Sequence, residues 1–376
     1  MIIQGKVNTA KIYTDNIDEE SLKQIYNILN NPCFENTNIA IMPDVHMGKG
    51  TVVGFTMTFN SYINPSIIGV DIGCGIDAYK IGKISFNLED FDVFIKNNIP
   101  SGSNVHNSIQ SEYVKENNAL ITLIKKVAPK EEYRIMLSIG TLGGGNHFLE
   151  LDKDSDGNIW LIIHSGSRNF GLHVCRYHQD KAKEVIRLKY KGAGAYHGME
   201  FMSLEEGGDE YLGDMKIAQD FALENRTIMA KIIIEKFFNK KFNEYEKFSS
   251  IHNYINFNDN VIRKGAISAH KDEKVIIPLN MRDGCILATG KGNQEWNFSA
   301  PHGAGRLLKR REAKSILSIG DYKDTMKGIF SSCINKTTID ESPMAYKNSE
   351  EIIGLISDTV EINEIIKPVY NFKAGS

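Results

Sequence analysis

The sequence lacks a run of about 18 apolar residues, so no segment is expected to cross a membrane as a helix. It lacks a C-x-x-C pair: its five cysteines (Cys33, Cys74, Cys175, Cys285, Cys333) are an odd, scattered set, which argues against a disulfide framework. It lacks a charge excess. Its 44 Lys+Arg stand against 47 Asp+Glu, a net charge of -3, so any nucleic-acid contact has to come from a local patch. No repeat of 20 to 50 residues and no low-complexity stretch is visible, which excludes a solenoid and marks no linker. The opening MIIQGKVNTA lacks the apolar core and cleavage site of a signal peptide. The expectation is a cytoplasmic, reduced protein forming one unit over residues 1–376.

What is present is a mixed pattern. Asp18 is placed to cap a helix carrying Leu22, Ile25, Ile28 and Leu29 on one face, ending near Asn31 and Pro32. Apolar runs of strand type follow at 38–42, 51–59, 66–70, 78–81, 133–138 and 159–163, each ending in a Gly-rich or polar segment. Residues 180–191 and 209–239 read as helix, part of a helical insertion at about 176–248. Short strands return at 275–278 and 285–288. The expected class is α+β, with mixed sheets and helices around a central cleft.

The glycines cluster beside His, Asp and Cys in short segments that follow apolar runs: PDVHMGKG from Pro43, GVDIGCG from Gly69, GTLGGGNHF from Gly140, IHSGSR from Ile163 and PHGAGR from Pro301. A strand ending in a tight Gly turn presents polar side chains at the sheet edge, and glycine lets backbone N–H groups approach a ligand. Asp71 and Cys74 stand three apart, offering a hard oxygen and a thiolate, while His147, His164 and His252 each follow apolar residues. That donor set suits Mn²⁺, Fe²⁺ or Zn²⁺. A lone His or Cys is more often a packing residue, and it is the shared Gly-turn context that favours ligation here. Gly303, Gly305 and Arg306 open a stretch, 306–314, that reads as a helix whose first amides would hold an anion, with His302 beside it as a candidate nucleophile. Arg168 is a second anion-binding candidate. The Gly48-Lys49-Gly50 and Gly290-Lys291-Gly292 segments lack P-loop spacing, and no K-x-D-G lysine nucleophile is present.

Seven blocks in order, PDVHMGKG, GVDIGCG, GGGNHFLE, IHSGSR, HN, SAPHGAGR and SPMAYK, resemble the RtcB family of RNA-splicing ligases over nearly the whole chain. The resemblance implies the family's own α+β fold, in a shorter, bacterial-type form. It implies a GTP- and Mn²⁺-dependent ligase acting in RNA repair or tRNA splicing. Such an enzyme joins RNA 3′-phosphate or 2′,3′-cyclic phosphate ends to 5′-hydroxyl ends through GMP carried on a histidine, here His302, and an RNA(3′)pp(5′)G end. It implies two Mn²⁺ held by Asp71, Cys74, His147, His164 and His252, with the Cys74 thiolate bridging. The guanylate pocket would use Asn146, Phe148, Glu150, Asn253, Ala304, Gly305, Tyr346 and Lys373, and Arg168 and Arg306 would hold phosphate or RNA. The family's PGSMG-type loop is replaced by Ile277-Pro278-Leu279-Asn280-Met281-Arg282-Asp283-Gly284, so Asn280 stands where relatives place a serine contact. Two other readings stay open: a nucleotidyltransferase that only caps 3′-phosphate ends with GMP, and a catalytically silent RNA-binding metalloprotein. The motifs do not name the RNA, the oligomeric state or any activating protein partner.

Overall fold

Asp18 accepts from the Ser21 amide at 2.9 Å and starts the helix Glu19–Leu29, whose Ile25, Ile28 and Leu29 turn into the core. The computed structural model describes residues 1–190 and 193–374. Its centre is a seven-stranded, fully antiparallel sheet. The order is Lys247–Ile251, Gly75–Gly82, Ile159–Ser165, Phe148–Lys153, Val360–Lys373, Gly284–Gly290, Lys274–Asn280. A six-stranded sheet runs Ile2–Gln4, Thr9–Ile12, Ile39–His46, Val53–Thr58, Val261–Lys264, Asn253–Asn256, with a parallel pairing at Thr9–Ile12 and Ile39–His46. The short ribbon Ala266–Ser268 with Ser299–Pro301 leads into the segment that carries His302. The architecture is mixed α/β with several sheets.

The strand Ile159–Ser165 is buried at all seven positions because both faces of the large sheet are covered there. One cover is the helix Asp209–Lys236, which buries Met215, Phe221, Met229 and Ile233 and packs on Ile159–Ser165 and Gly75–Gly82. The expected helical insertion at about 176–248 is therefore part of the core. Its helices run Arg168–Lys189 and Asp209–Lys236, and Lys247–Ile251 is already a sheet strand. Residues 191–192 of that insertion lie outside the described residues. Arg226, fully buried, donates to Asp77 at 2.7 Å and to the carbonyls of Gly73 and Ser165 at 2.9 and 3.0 Å. It ties the helix to both ends of the turn that carries Asp71 and Cys74.

Three expectations from the sequence need correction. Residues 66–70 are not a strand: Asn64 caps, and Pro65 opens, the short helix Pro65–Ile68. The 133–138 run is also helical, Glu132–Leu137, because Glu, Arg, Met and Leu favour helix and Ile135 alone is buried in it. The helix expected over 306–314 begins only at Arg310 and ends at Ile316. Gly303 to Arg306 is irregular backbone, so no helix start presents its amides there.

Candidate active site

Antiparallel pairing brings alternate strand starts and ends to the same edge of a sheet. On one edge of the large sheet, His252 follows Lys247–Ile251, Cys74 precedes Gly75–Gly82, His164 lies in the last turnward residues of Ile159–Ser165, and His147 precedes Phe148–Lys153. Register fixes the meeting: His164 is opposite Ile76 on one side and Phe148 on the other, and the His252 amide donates to the Cys74 carbonyl at 2.9 Å. Asp71 enters through the turn before Cys74, whose amide donates to the Asp71 carbonyl at 3.2 Å. Gly166 makes room for it, since a Cβ there would lie 2.0 Å from Asp71 Oδ1.

The five side chains form two overlapping trios, Asp71–Cys74–His147 and Cys74–His164–His252, each with ligand atoms within 4.8 Å of one another. His147 Nδ1 faces the Leu142 carbonyl at 2.9 Å, which directs Nε2 to Asp71 Oδ2 at 2.9 Å and Cys74 Sγ at 3.5 Å. His164 Nε2 meets His252 Nε2 at 3.2 Å and Cys74 Sγ at 3.3 Å. Burial holds the pKa of both His164 and His252 well below the ordinary value, so their rings are neutral. Burial, with Asp71 adding to it, pushes the Cys74 thiol up. Burial would raise the Asp71 carboxyl as well, but His147 outweighs it and the pKa falls to about 2. Two imidazole nitrogens and a sulfur that converge in this way share one proton poorly. A bound divalent cation would accept all three and hold Cys74 as a thiolate. The residues present fit divalent-metal binding, with Cys74 common to both trios.

His302 adjoins the second trio, its ring centroid 4.8 Å from that of His252. Its Nδ1 is 2.7 Å from Asp44 Oδ2, and Asp44 is fully buried. With the Nδ1 proton donated to Asp44, the lone pair sits on Nε2. Gly305 allows this approach: its φ is +76°, and a Cβ there would lie 2.5 Å from the Asp44 carbonyl oxygen. His302 opens onto a cavity of about 710 Å³ that is also lined by Asp71, Cys74, His164, His252, Asn146, Phe148, Glu150, Asn253, Asn280, Ala304, Gly305, Arg306, Tyr346 and Lys373. His147 and Arg168 instead line an adjoining cavity of about 510 Å³, which shares Asp71 with the first. Of the nominated residues, only these two fall outside the larger space.

Part of the larger cavity's lining is cationic. Lys373 Nζ is 2.8 Å from Glu341 and lies over the Phe148 ring at 5.3 Å. The Tyr346 hydroxyl donates to Glu341 at 2.6 Å, and Arg306 and Arg310 reach the same carboxylate at 3.2 and 2.7 Å. Arg306 therefore sits in an ion-pair network and not at a helix start. Asn253 donates to the Asp71 carbonyl at 3.3 Å and accepts from the Gly265 amide at 3.0 Å. Asn280 is closed on its own loop, donating to Asp283 at 2.8 Å. Glu150 is buried with Asp152 and Cys285 in a third close group. Burial raises the pKa of both carboxyls. Cys285, expected to be a simple packing residue, thus touches a polar pair, its thiol 3.8 Å from Glu150.

Three residues of the site escaped the reading of the sequence. Asp44 and Glu341 carry no spacing signal, because they meet His302 and Lys373 across 258 and 32 residues. Lys264 lines the larger cavity from the fully buried strand Val261–Lys264. Burial draws its pKa down to about 8, and its ammonium donates to the Lys49 carbonyl.

A strand-edge cluster of carboxylate, thiol and imidazoles beside an aspartate-held histidine defines a class of metal-assisted group-transfer site. The family model for the tRNA-splicing ligase RtcB matches residues 24–374, and the chain belongs to the RtcB family. It is similar to the RNA-splicing ligase RtcB of Escherichia coli K12, 29% identical with 94% of each chain covered. It is also similar to the tRNA-splicing ligase RtcB of Methanococcus maripaludis, 26% identical with 96% of this chain and 92% of that one covered. A third relative, the tRNA-splicing ligase RtcB of Aeropyrum pernix, is 25% identical over 95% of this chain and 92% of its own.

Proposed function

We propose that the chain is an RNA ligase that uses GTP and Mn²⁺ to join 3′-phosphate or 2′,3′-cyclic phosphate ends to 5′-hydroxyl ends, as one catalytic unit over 1–376 in the reducing cytoplasm. The observation that carries this reading is the placement of the Asp44-held His302 beside a sulfur-centred ligand cluster, on a cavity that Arg306, Arg310 and Lys373 also line. Asp71, Cys74 and His147 would hold one Mn²⁺ and Cys74, His164 and His252 the other. When bound, the ions neutralise phosphate oxygens that would otherwise repel an incoming anion.

The chain's own residues do the rest. Asp44 keeps the Nδ1 proton, so His302 Nε2 attacks the α-phosphorus of GTP, forming an N–P bond while the P–O bond to pyrophosphate breaks. An oxygen of the RNA 3′-phosphate then attacks that phosphorus and breaks the N–P bond, giving RNA(3′)pp(5′)G and returning His302 to its free form. The 5′-hydroxyl of the second strand attacks the 3′-phosphorus, its proton is lost, and GMP leaves. A cyclic end first takes up water to become a 3′-phosphate. Asn146, Phe148, Glu150, Asn253, Asn280, the Ala304–Gly305 backbone, Tyr346 and Lys373 are assigned to the guanylate. Arg168 and Arg306 are assigned to phosphate or RNA.

Two RNA strands, one ending in a 3′-phosphate and one starting in a 5′-hydroxyl, test the reading when incubated with GTP and Mn²⁺. Joined product is expected. GMP-capped ends without joining would mean a capping enzyme. No change in either strand would mean a silent binder.

A further inference from the structure

Glu341 is 2% exposed and does not line the cavity, yet four groups that do line it end on its carboxylate. Lys373, at the end of Val360–Lys373, and Tyr346 both reach Oε2, at 2.8 and 2.6 Å. Arg306, in the loop after His302, and Arg310, opening Arg310–Ile316, both reach Oε1, at 3.2 and 2.7 Å. Arg306 and Tyr346 also meet directly, through a backbone bridge and with the guanidinium 5.2 Å from the Tyr346 ring centre, and Arg306 and Arg310 both also reach Asp340; Glu341 is the one residue that all four donors share. Around it, Arg306, Arg310, Lys314 and Lys373 face Asp340 and Glu341, four cations against two carboxylates. The wall keeps a cation surplus while its cations are held in place.

We propose that Glu341 is the positioning residue that sets base preference and phosphate grip together: Oε2 aims Lys373 and Tyr346 at the base, and Oε1 aims Arg306 and Arg310 at phosphate. The inference rests on the nucleotide and RNA assignments above. A lysine ammonium carries three donors, so Lys373 can keep one on Glu341 and offer another to a base carbonyl. A carbonyl at that position, as on guanine, is favoured; the amino group of adenine, itself a donor, is opposed. Burial would raise the Glu341 carboxyl, but Lys373, Arg310 and Arg306 hold it down at about 2, so it is an anion at every working pH. An amide cannot replace it. Either way a glutamine side chain turns, its NH₂ faces two donors, Lys373 and Tyr346 on one side or Arg306 and Arg310 on the other.

The test compares wild type with Glu341→Gln, Glu341→Asp, Lys373→Ala and the double variant Arg306→Ala/Arg310→Ala. Equilibrium dialysis measures binding of GTP and of ATP, fluorescence anisotropy measures a 3′-phosphorylated RNA oligonucleotide, and thermal unfolding is recorded for each protein. Glu341→Gln is expected to weaken GTP and RNA binding by about tenfold or more each and to lower the GTP-over-ATP preference by about tenfold. Lys373→Ala should weaken GTP binding and lower the GTP-over-ATP preference with RNA binding little changed, and the double arginine variant should chiefly lose RNA. Glu341→Asp, which keeps the charge on a shorter stem, should recover part of both. A folded Glu341→Gln with an unchanged GTP-over-ATP preference overturns the proposal, as does a loss of binding that only tracks the unfolded fraction. Wild type that binds GTP but never joins RNA would sink the ligase reading instead, and the binding comparison would still decide the role of Glu341.

Discussion

Two walls of one cavity solve the same problem in opposite ways. On the sheet edge, His164, His252 and Cys74 point their ligand atoms at one another, 3.2 and 3.3 Å apart, and burial keeps the rings neutral and the thiol protonated. Elsewhere in the lining, Lys373, Arg306 and Arg310 all find a carboxylate. The first wall is a set of donor atoms that suits a cation; the second pairs its cations with its own carboxylates. On the proposed function, the difference assigns the cation-binding wall to the chemistry and the cationic wall to the choice of nucleotide and strand.

Breaking the first wall should therefore have the largest effect. Cys74 belongs to both trios, so Cys74→Ala is expected to lower RNA joining by about a thousandfold or more and to leave less than one Mn²⁺ per chain in metal analysis. Retained joining at near wild-type rate would break the comparison. Next in size, Asp44→Asn keeps the shape of the His302 partner but removes its charge, favouring the tautomer with the proton on Nε2. Guanylylation in single turnover should slow by about 100-fold with little change in GTP affinity. An equal loss in affinity would place Asp44 with the cationic wall instead.

Lys264 sharpens the contrast with the smallest effect, because it is a buried cation whose ammonium rests on a carbonyl. Its pKa is about 8 folded against the ordinary 10.5. Between those values the unfolded chain binds a proton that the folded chain does not, so stability rises with pH across that window. Below it both states are charged and the cost of the buried ammonium is constant. Lys264→Met is expected to stabilise the protein near pH 7 by of order 2 kcal/mol and to abolish the rise toward pH 10. Urea unfolding across this range checks both, and an unchanged pH slope would contradict them.

The sheet-edge wall was the more legible of the two in the sequence. Its ligands sit in Gly-rich turns next to apolar strands, and a strand that ends in such a turn delivers its side chain to an edge whatever the topology. The cationic wall was legible only in part. Lys373 and Tyr346 came from motif resemblance and Arg306 from its place beside Gly303 and Gly305, while Glu341, which gathers them, lies in the short segment Ile339–Glu341 with no periodicity to mark it. Arg226 shows the same limit: in a helix dotted with Lys and Glu it reads as a solvated residue, and only the close packing of that helix on the large sheet reveals it as fully buried. The error over 306–314 has a local cause. Helix-favouring residues there are outweighed by the tertiary pull of Arg306 toward Glu341 and Leu308, so the helix starts one turn late.

The central claim is that His302 carries GMP. Labelled GTP incubated with the protein and Mn²⁺, followed by denaturation, reads this directly. The account predicts an acid-labile, alkali-stable label on wild type that is absent from His302→Ala. Label that persists in His302→Ala, or no label on wild type, would contradict it.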